Sequence, residues 1–342
     1  MALFPEHRHE MERFQRIDLP ADQAETLRRL QDVDVPLTLH WQWDYTLGED
    51  HLKALYEKGK SGQWNAQTDV DWSVPLADGD WLANPESSIL ANVLSIVGRD
   101  EATRKQAVVD EIGFTMSQLL HGEQAALQLT AQLVNAIPDM DAKFYAASQV
   151  VDEARHCEVF ASFLERKVGH IDPIDPVLKH LLDQLLSAAE WWKKAVGMQV
   201  LFEGVALGVF AGLEQNVRNP LLRDILRRVT IDEARHAAFG FHSLKRQLPH
   251  LSSVERDQLE DWTFEILECL FNSSGKGMTE LLGPKYGLDP FRLLRGTLRS
   301  DGWKWSQMYL YNHTVLPNLK NLGILTERTR RGYVGLGLLP DA

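Results

Sequence analysis

Five residues occur twice in this chain, as Asp152-Glu153-Ala154-Arg155-His156 and Asp232-Glu233-Ala234-Arg235-His236. Thirty positions before the Glu of each copy stands another glutamate, Glu123 and Glu203. Glu and His three positions apart lie on one face of a helix, so each pentapeptide offers a carboxylate and an imidazole to the same point. Two such pairs, with one Glu from each of two further helices, make the six-ligand set of a dinuclear carboxylate site inside a four-helix bundle. One Glu–His pair alone would read as an exposed ion pair, but the repeat with matched upstream glutamates overrides that reading. Oxygen-rich donors with one imidazole per metal suit iron or manganese better than zinc or copper.

The spacing predicts how the chain is wound. From Glu123 to the turn before Pro138 is about 14 steps, roughly 21 Å of helix, and the return to Glu153 is about 12 steps, roughly 18 Å. The arms for Glu203 and Glu233 are again about 14 and 13 steps. Each half is expected to be an αα-hairpin with its ligands level at mid-length. Ala126/Ala206, Leu127/Leu207, Ala131/Ala211 and Leu133/Leu213 recur in the same register, which indicates internal duplication. Helices are expected over 101–136, 141–167, 176–217, 220–247, 253–272, 289–299 and 301–319. Asp172-Pro173-Ile174-Asp175-Pro176 reads as a rigid connector, because proline fixes its own φ and restricts the residue before it. Strand signals are nearly absent. The expected organisation is an all-α chain: an N-terminal extension over 1–87, a helical bundle over 88–272 and a C-terminal helical extension over 273–342. Trp41, Trp43, Trp64, Trp72 and Trp81 are expected to be packing residues, since aromatics bury large areas.

Composition narrows the function classes. Of 342 residues, 44% are hydrophobic and 25% charged, as in a soluble globular protein. With two cysteines, Cys157 and Cys269, no disulfide framework is expected, and a reducing cytoplasm fits. The net charge of −12 argues against a nucleic-acid or anionic-membrane surface. No membrane span and no signal peptide are expected. There is no glycine-rich dinucleotide fingerprint, phosphate loop or CxxC motif, so electrons for redox chemistry would come from an external donor, a reductase or ferredoxin.

Around the six ligands, Asp152 and Asp232 are placed to accept the second ring N–H of a ligating histidine, most simply that of the opposite hairpin. Arg155 and Arg235 would clamp and neutralise them. Phe160 lies one turn beyond His156, and Leu207 and Phe210 follow Glu203. With Met116, Leu127 and Gln199 they are expected to line an apolar pocket for a small-molecule substrate. Cys157 reads as a packed thiol, and His121, His170, His180 and His242 read as capping or surface residues.

These residues resemble those of the ferritin-like di-iron carboxylate proteins over about 110–245. The stretch Gly122-Glu123-Gln124-Ala125-Ala126 and both Asp-Glu-Ala-Arg-His copies are similar to the motifs of bacterial multicomponent monooxygenase hydroxylase α subunits. Those carry Thr four residues after the third ligand glutamate, where this chain has Leu207. In length the chain is nearer to the arylamine N-oxygenases of the same superfamily, whose extra His ligand would fall at Val229. It is also similar in size to ribonucleotide reductase small subunits, whose radical tyrosine would fall at Phe160. The positions of the Val–Tyr crosslink in related ligand-binding oxidases correspond to Ala125 and Met198. The resemblance implies a ferritin-like four-helix bundle with Glu123, Glu153, His156, Glu203, Glu233 and His236 as ligands. It implies two iron ions, or a Mn/Fe pair, with O2 as co-substrate, and Glu153 and Glu233 as bridges. It raises a homodimer as an option. The expected function is an oxygenase acting on a small organic molecule. A Mn/Fe oxidase or radical-generating subunit, a ferroxidase or peroxide scavenger, and a non-catalytic helical scaffold stay open as alternatives.

Overall fold

The computed structural model describes residues 33–41, 43, 45, 48, 50–76, 79–273, 275–299, 307 and 309–341. Among these, helices account for the architecture, and the sole β feature is an isolated bridge between Ala83 and Val217. The first hairpin pairs α3 (Glu101–Ala136) with α4 (Met140–Phe163); α1 is Asp50–Ser61 and α2 Ile89–Ile96. The second pairs the helix Trp191–Asn216 with α8 (Pro220–Gln247). That former helix is α6 (Trp191–Val196), a π-helical turn Gly197–Phe202, and α7 (Glu203–Asn216). α5 (Pro176–Ser187) lies between the hairpins in sequence, and α9 (Ser253–Ser273), α10 (Lys276–Lys285), α11 (Pro290–Arg299), α12 (Leu316–Asn321) and α13 (Glu327–Gly335) follow.

Local chemistry sets the helix ends. Asp100 accepts from Thr103 N at 2.8 Å, Asp139 from Ala142 N at 3.3 Å, and Asn219 from Leu222 N at 2.9 Å. Asp175 accepts from Val177 N and Leu178 N, with Pro176 at the first helical position, where its missing N–H is harmless. Each side-chain cap satisfies backbone donors that the first turn leaves free.

The expected single helix over 176–217 is instead two helices, broken at Ala188-Ala189-Glu190. The buried Lys194 holds this break, donating to Leu186 O at 2.6 Å, to Leu185 O at 3.4 Å and to Gln132 Oε1 at 2.7 Å. An ammonium group on the last carbonyls of α5 satisfies them and complements the helix dipole. Burial pulls the Lys194 amine down to about 8. The helix expected over 141–167 becomes π-helical at Leu164–Val168 and stops at Gly169, whose φ of +90° favours a residue without a side chain. Of the helix expected over 301–319, positions 301–306 and 308 lie outside the described residues, as do residues 1–32 of the expected N-terminal extension. The described remainder of that helix is a π-helical turn Tyr311–Val315 leading into α12.

Two large apolar clusters fill the bundle. One includes Leu129, Leu133, Ala146, Leu185, Val196, Leu201 and Phe239. The other includes Met116, Val159, Phe160, Phe210, Leu226 and Val229. On α3, α4, Trp191–Asn216 and α8 the repeated glutamates fall between residues of the two clusters, so a polar layer crosses the bundle at mid-height. Among the described residues, Trp191–Asn216 alone is long and apolar enough to cross a membrane, against the expectation drawn from uninterrupted runs. Half of its most apolar window is buried, and it carries Gln199 and Glu203 into the polar layer, so its composition is accounted for by its place in the core.

Of the five tryptophans, Trp64, Trp72 and Trp81 are half-buried against the second cluster, whereas Trp41 and Trp43 are 68% and 77% exposed. Their rings lie 5.5 Å apart, tilted by 37°.

Candidate metal centre

All six repeated Glu and His residues are buried and converge in the polar layer. Their donor atoms form two groups, Glu123, Glu153, His156 and Glu233 in one and Glu153, Glu203 and His236 in the other, each within 4.8 Å. Glu153 belongs to both groups. Its Oε2 lies 3.3 Å from His156 Nδ1 and its Oε1 3.3 Å from His236 Nδ1. Glu233 spans the same two atoms at 3.0 and 3.2 Å. Glu123 lies 3.4 Å from His156 Nδ1, and Glu203 lies 3.7 Å from His236 Nδ1. The imidazole rings stand 5.9 Å apart between the two carboxylates that span them.

Both histidines turn Nδ1 to the centre and Nε2 to an aspartate of the other hairpin: His156 to Asp232 at 3.1 Å, His236 to Asp152 at 3.3 Å. Arg155 and Arg235 each bond both aspartates. These guanidiniums and the imidazoles outweigh burial and hold both aspartates below the usual carboxylate range. The outer side is closed by the segment after α1. Gln63 donates to Asp152 Oδ1 at 2.9 Å, and the Trp64 indole N–H donates to Asp232 Oδ2 at 2.8 Å beneath the Arg155 guanidinium.

Burial and the nearby Glu233 charge push Glu123 up to about 8, and they raise Glu203 well above its ordinary value. For Glu233, burial is outweighed by the His236 charge and by its close polar contacts with Glu203 and both histidines, and its value falls. Burial opposes protonation of His156 and His236, yet the surrounding carboxylates raise both, His236 to about 10. Glu153 Oε2, Glu233 Oε1 and His156 Nδ1 are buried without a hydrogen-bond partner. A buried polar atom left unpaired costs about 1–3 kcal/mol, so three facing one centre fit the binding of a cation. The donor set of four carboxylates and two imidazoles can hold two metal ions of the iron or manganese type.

At this centre Gln149 escaped the sequence reading, and Gln199, expected in the pocket, is found beside it. Gln149 donates to Glu153 Oε1 at 2.8 Å and to Glu203 Oε1 at 3.0 Å, tying the two hairpins through their glutamates. Gln199 donates to Gln149 Oε1 at 3.2 Å. Gln199 fits there because position 240 is glycine, where a Cβ would stand 2.3 Å from the Gln199 Cβ. Glutamine one turn before a ligand glutamate was the available signal for Gln149.

The pocket expectation needs correction. A cavity of about 200 Å³ adjoins Glu123 and Glu203, between α3 and α7. None of Met116, Leu127, Phe160, Gln199, Leu207 and Phe210 is among its described lining residues. Met116, Phe160 and Phe210 are fully buried in the second apolar cluster, with the Phe160 and Phe210 rings 6.1 Å apart. Gln199 serves the Gln149 amide, and Leu127 and Leu207 are half-buried elsewhere. The space opens instead where residues are small, at Gly122, Ala126 and Ala206. His242, six residues after His236, stacks on His51 at 4.7 Å.

An R2-like ligand-binding oxidase with an aerobically reconstituted Mn/Fe cofactor is 15% identical, over 81% of this chain and 93% of its own, with a TM-score of 0.47. An R2-like ligand-binding oxidase without metal cofactor is 17% identical, over 80% of this chain and 96% of its own, with a TM-score of 0.43. At these scores neither bears on the chemistry. A DNA ligase of Acinetobacter baylyi is 30% identical over 122 residues, 34% of this chain. The chain spans 17% of that ligase, and so short an overlap assigns no family. The p-aminobenzoate N-oxygenase AurF family, in contrast, matches residues 47–277, which include both hairpins and every residue of the centre. The chain belongs to that family and is an oxidoreductase.

Proposed function

We propose that the chain is an oxygenase that holds two iron ions between its hairpins, activates O2 there and inserts oxygen into a small organic substrate. The observation that carries this reading is the pair of donor groups sharing Glu153, joined through Glu123 and Glu203 to an apolar cavity. When bound, the iron supplies the electron transfer to dioxygen that side chains cannot.

The rest is the work of this chain's residues. Glu153 and Glu233 each reach both Nδ1 atoms, which supports assigning them the bridging positions. Glu123 with His156 would complete one end of the centre, and Glu203 with His236 the other. Asp152 and Asp232 accept the Nε2 protons and fix the tautomer that would turn each Nδ1 lone pair to a metal. Arg155 and Arg235 keep those aspartates ionised, and the apolar clusters on both sides exclude water. The bundle over 88–272 is the proposed functional unit.

The matching family is named for N-oxygenation, which favours an amine nitrogen over a C–H bond as the oxygen acceptor. Electrons would come from an external reductase or ferredoxin. The two free thiols suit a cytoplasmic setting, and a homodimer remains an option. The test is single turnover of the reduced, iron-loaded protein with ¹⁸O2 and small aromatic amines and arenes. Label in the product supports an oxygenase. O2 uptake without incorporation would favour a ferroxidase or oxidase, and one manganese per iron would favour the Mn/Fe reading.

A further inference from the structure

We propose that the cavity between α3 and α7 admits a small, uncharged, apolar substrate and rejects molecules bearing a carboxylate, p-aminobenzoate among them. This rests on the oxygenase reading above, which makes the cavity the substrate site.

The walls argue for it. Leu119, Ala126, Met198, Phe202, Val205 and Val209 give an almost wholly apolar lining. No lysine, arginine or histidine is among the described lining residues, and the ionisable groups that do line it are the acids Glu123 and Glu203. Two other polar side chains line it, and both are engaged. Thr115 Oγ1 donates to Glu111 O at 2.9 Å. The Gln118 amide donates to Pro173 O at 3.0 Å and accepts from Asp175 N at 2.7 Å, pinning the proline connector.

With its amine toward the metals, a substrate carboxylate would lose its water and find no cationic side chain in the wall to pair with. Such an uncompensated buried charge is penalised by several kcal/mol. A neutral ring gains from the same walls. An apolar cavity of ~150 Å³ accommodates benzene. A cavity of about 200 Å³ therefore accommodates one ring with small substituents. The family's name describes an aryl carboxylate, so this chain would differ from its namesake in the group that the cavity wall reads.

The test compares p-toluidine with p-aminobenzoate, which differ by a methyl in place of the carboxylate, in calorimetric titrations in mildly alkaline buffer. Both the metal-free and the iron-loaded protein are titrated. The expected result is p-toluidine binding more than tenfold tighter. Val209→Lys, which places a cation in the wall, is expected to narrow or reverse that ratio. Ala206→Phe is expected to abolish p-toluidine binding with iron content unchanged. Equal or tighter binding of p-aminobenzoate to the wild type, or binding of neither molecule, would overturn the proposal. Iron content and O2 uptake on the same samples report the oxygenase reading separately. Iron-loaded, O2-consuming protein that binds neither molecule would sink the cavity assignment alone. Protein that takes up no iron would sink the oxygenase reading, while the ligand ratio is still read on the metal-free chain.

Discussion

His156 Nε2 lies 3.1 Å from Asp232 Oδ2, so the imidazole of the first hairpin is oriented by the second. The reciprocal pair, His236 and Asp152, meets at 3.3 Å. Each half of the duplication thereby aims the other's nitrogen donor. Asp232→Asn keeps the shape but removes the charge that fixes the tautomer. Changes at such partners typically weaken metal affinity by about 10–100-fold. Anaerobic Fe(II) titration should show a loss of that size, and an unchanged affinity would mean that the aspartate does not orient the ring.

Trp64 extends the same network outward through its 2.8 Å bond to Asp232. Trp64→Phe keeps the ring but removes the donor. A hydrogen bond to a charged group contributes about 1.5–3 kcal/mol, so urea unfolding should register a loss within that range. A change indistinguishable from zero would show that solvent replaces the indole N–H.

Gly240 makes room for Gln199, and through it for the Gln149 amide that ties Glu153 to Glu203. In Gly240→Ala the added Cβ meets the root of a side chain, which cannot swing away. Overpacking of this kind costs about 1–3 kcal/mol. Chemical denaturation should show that loss together with weaker metal loading, whereas full stability with normal loading would contradict this placement of Gln199.

The metal-free centre also predicts a pH dependence. Burial lifts Glu123 from 4.5 to about 8; the carboxylates, against burial, lift His236 from 6.5 to about 10. A group raised in the folded state contributes stability that is full below its unfolded value and is lost as pH rises through its folded value. The metal-free protein should therefore lose stability as pH rises from 6.5 to about 10, the window set by His236. The lowered acids, Asp152, Asp232 and Glu233, oppose this only in the acid range; Lys194, lowered to about 8 outside the centre, opposes it above that value in loaded and metal-free protein alike. Bound metal takes the place of these protons, so the Tm difference between loaded and metal-free protein should widen with pH across the window. A constant or shrinking difference would contradict it.

Much of this was legible in the sequence because the duplication fixes both spacing and phase. Helices 101–136, 220–247 and 289–299 lie within a residue of their expected ends, since Asp100, Asn219-Pro220 and Pro290 are strong start signals. The break after Ser187 was not legible, because neither glycine nor proline marks it and its carbonyls are satisfied by Lys194, seven residues on. The cavity was not legible either. Residues one turn from a ligand, such as Phe160, pack into the neighbouring helix, while open space depends on where glycine and alanine of two helices coincide. The π-helical turn Gly197–Phe202, which changes the register of the helix just before Glu203, has no sequence signature. The N-terminal contacts of Gln63 and Trp64 were hidden because they join positions more than eighty residues apart.

Metal stoichiometry decides whether two metal ions sit between the hairpins. Wild-type protein and the Glu153→Ala variant would be loaded anaerobically with Fe(II), desalted and assayed by elemental analysis. The account predicts two metal ions per chain in the wild type and at most one in the variant, because Glu153 is shared by both donor groups. No retained metal in the wild type, or identical loading in both, would contradict it.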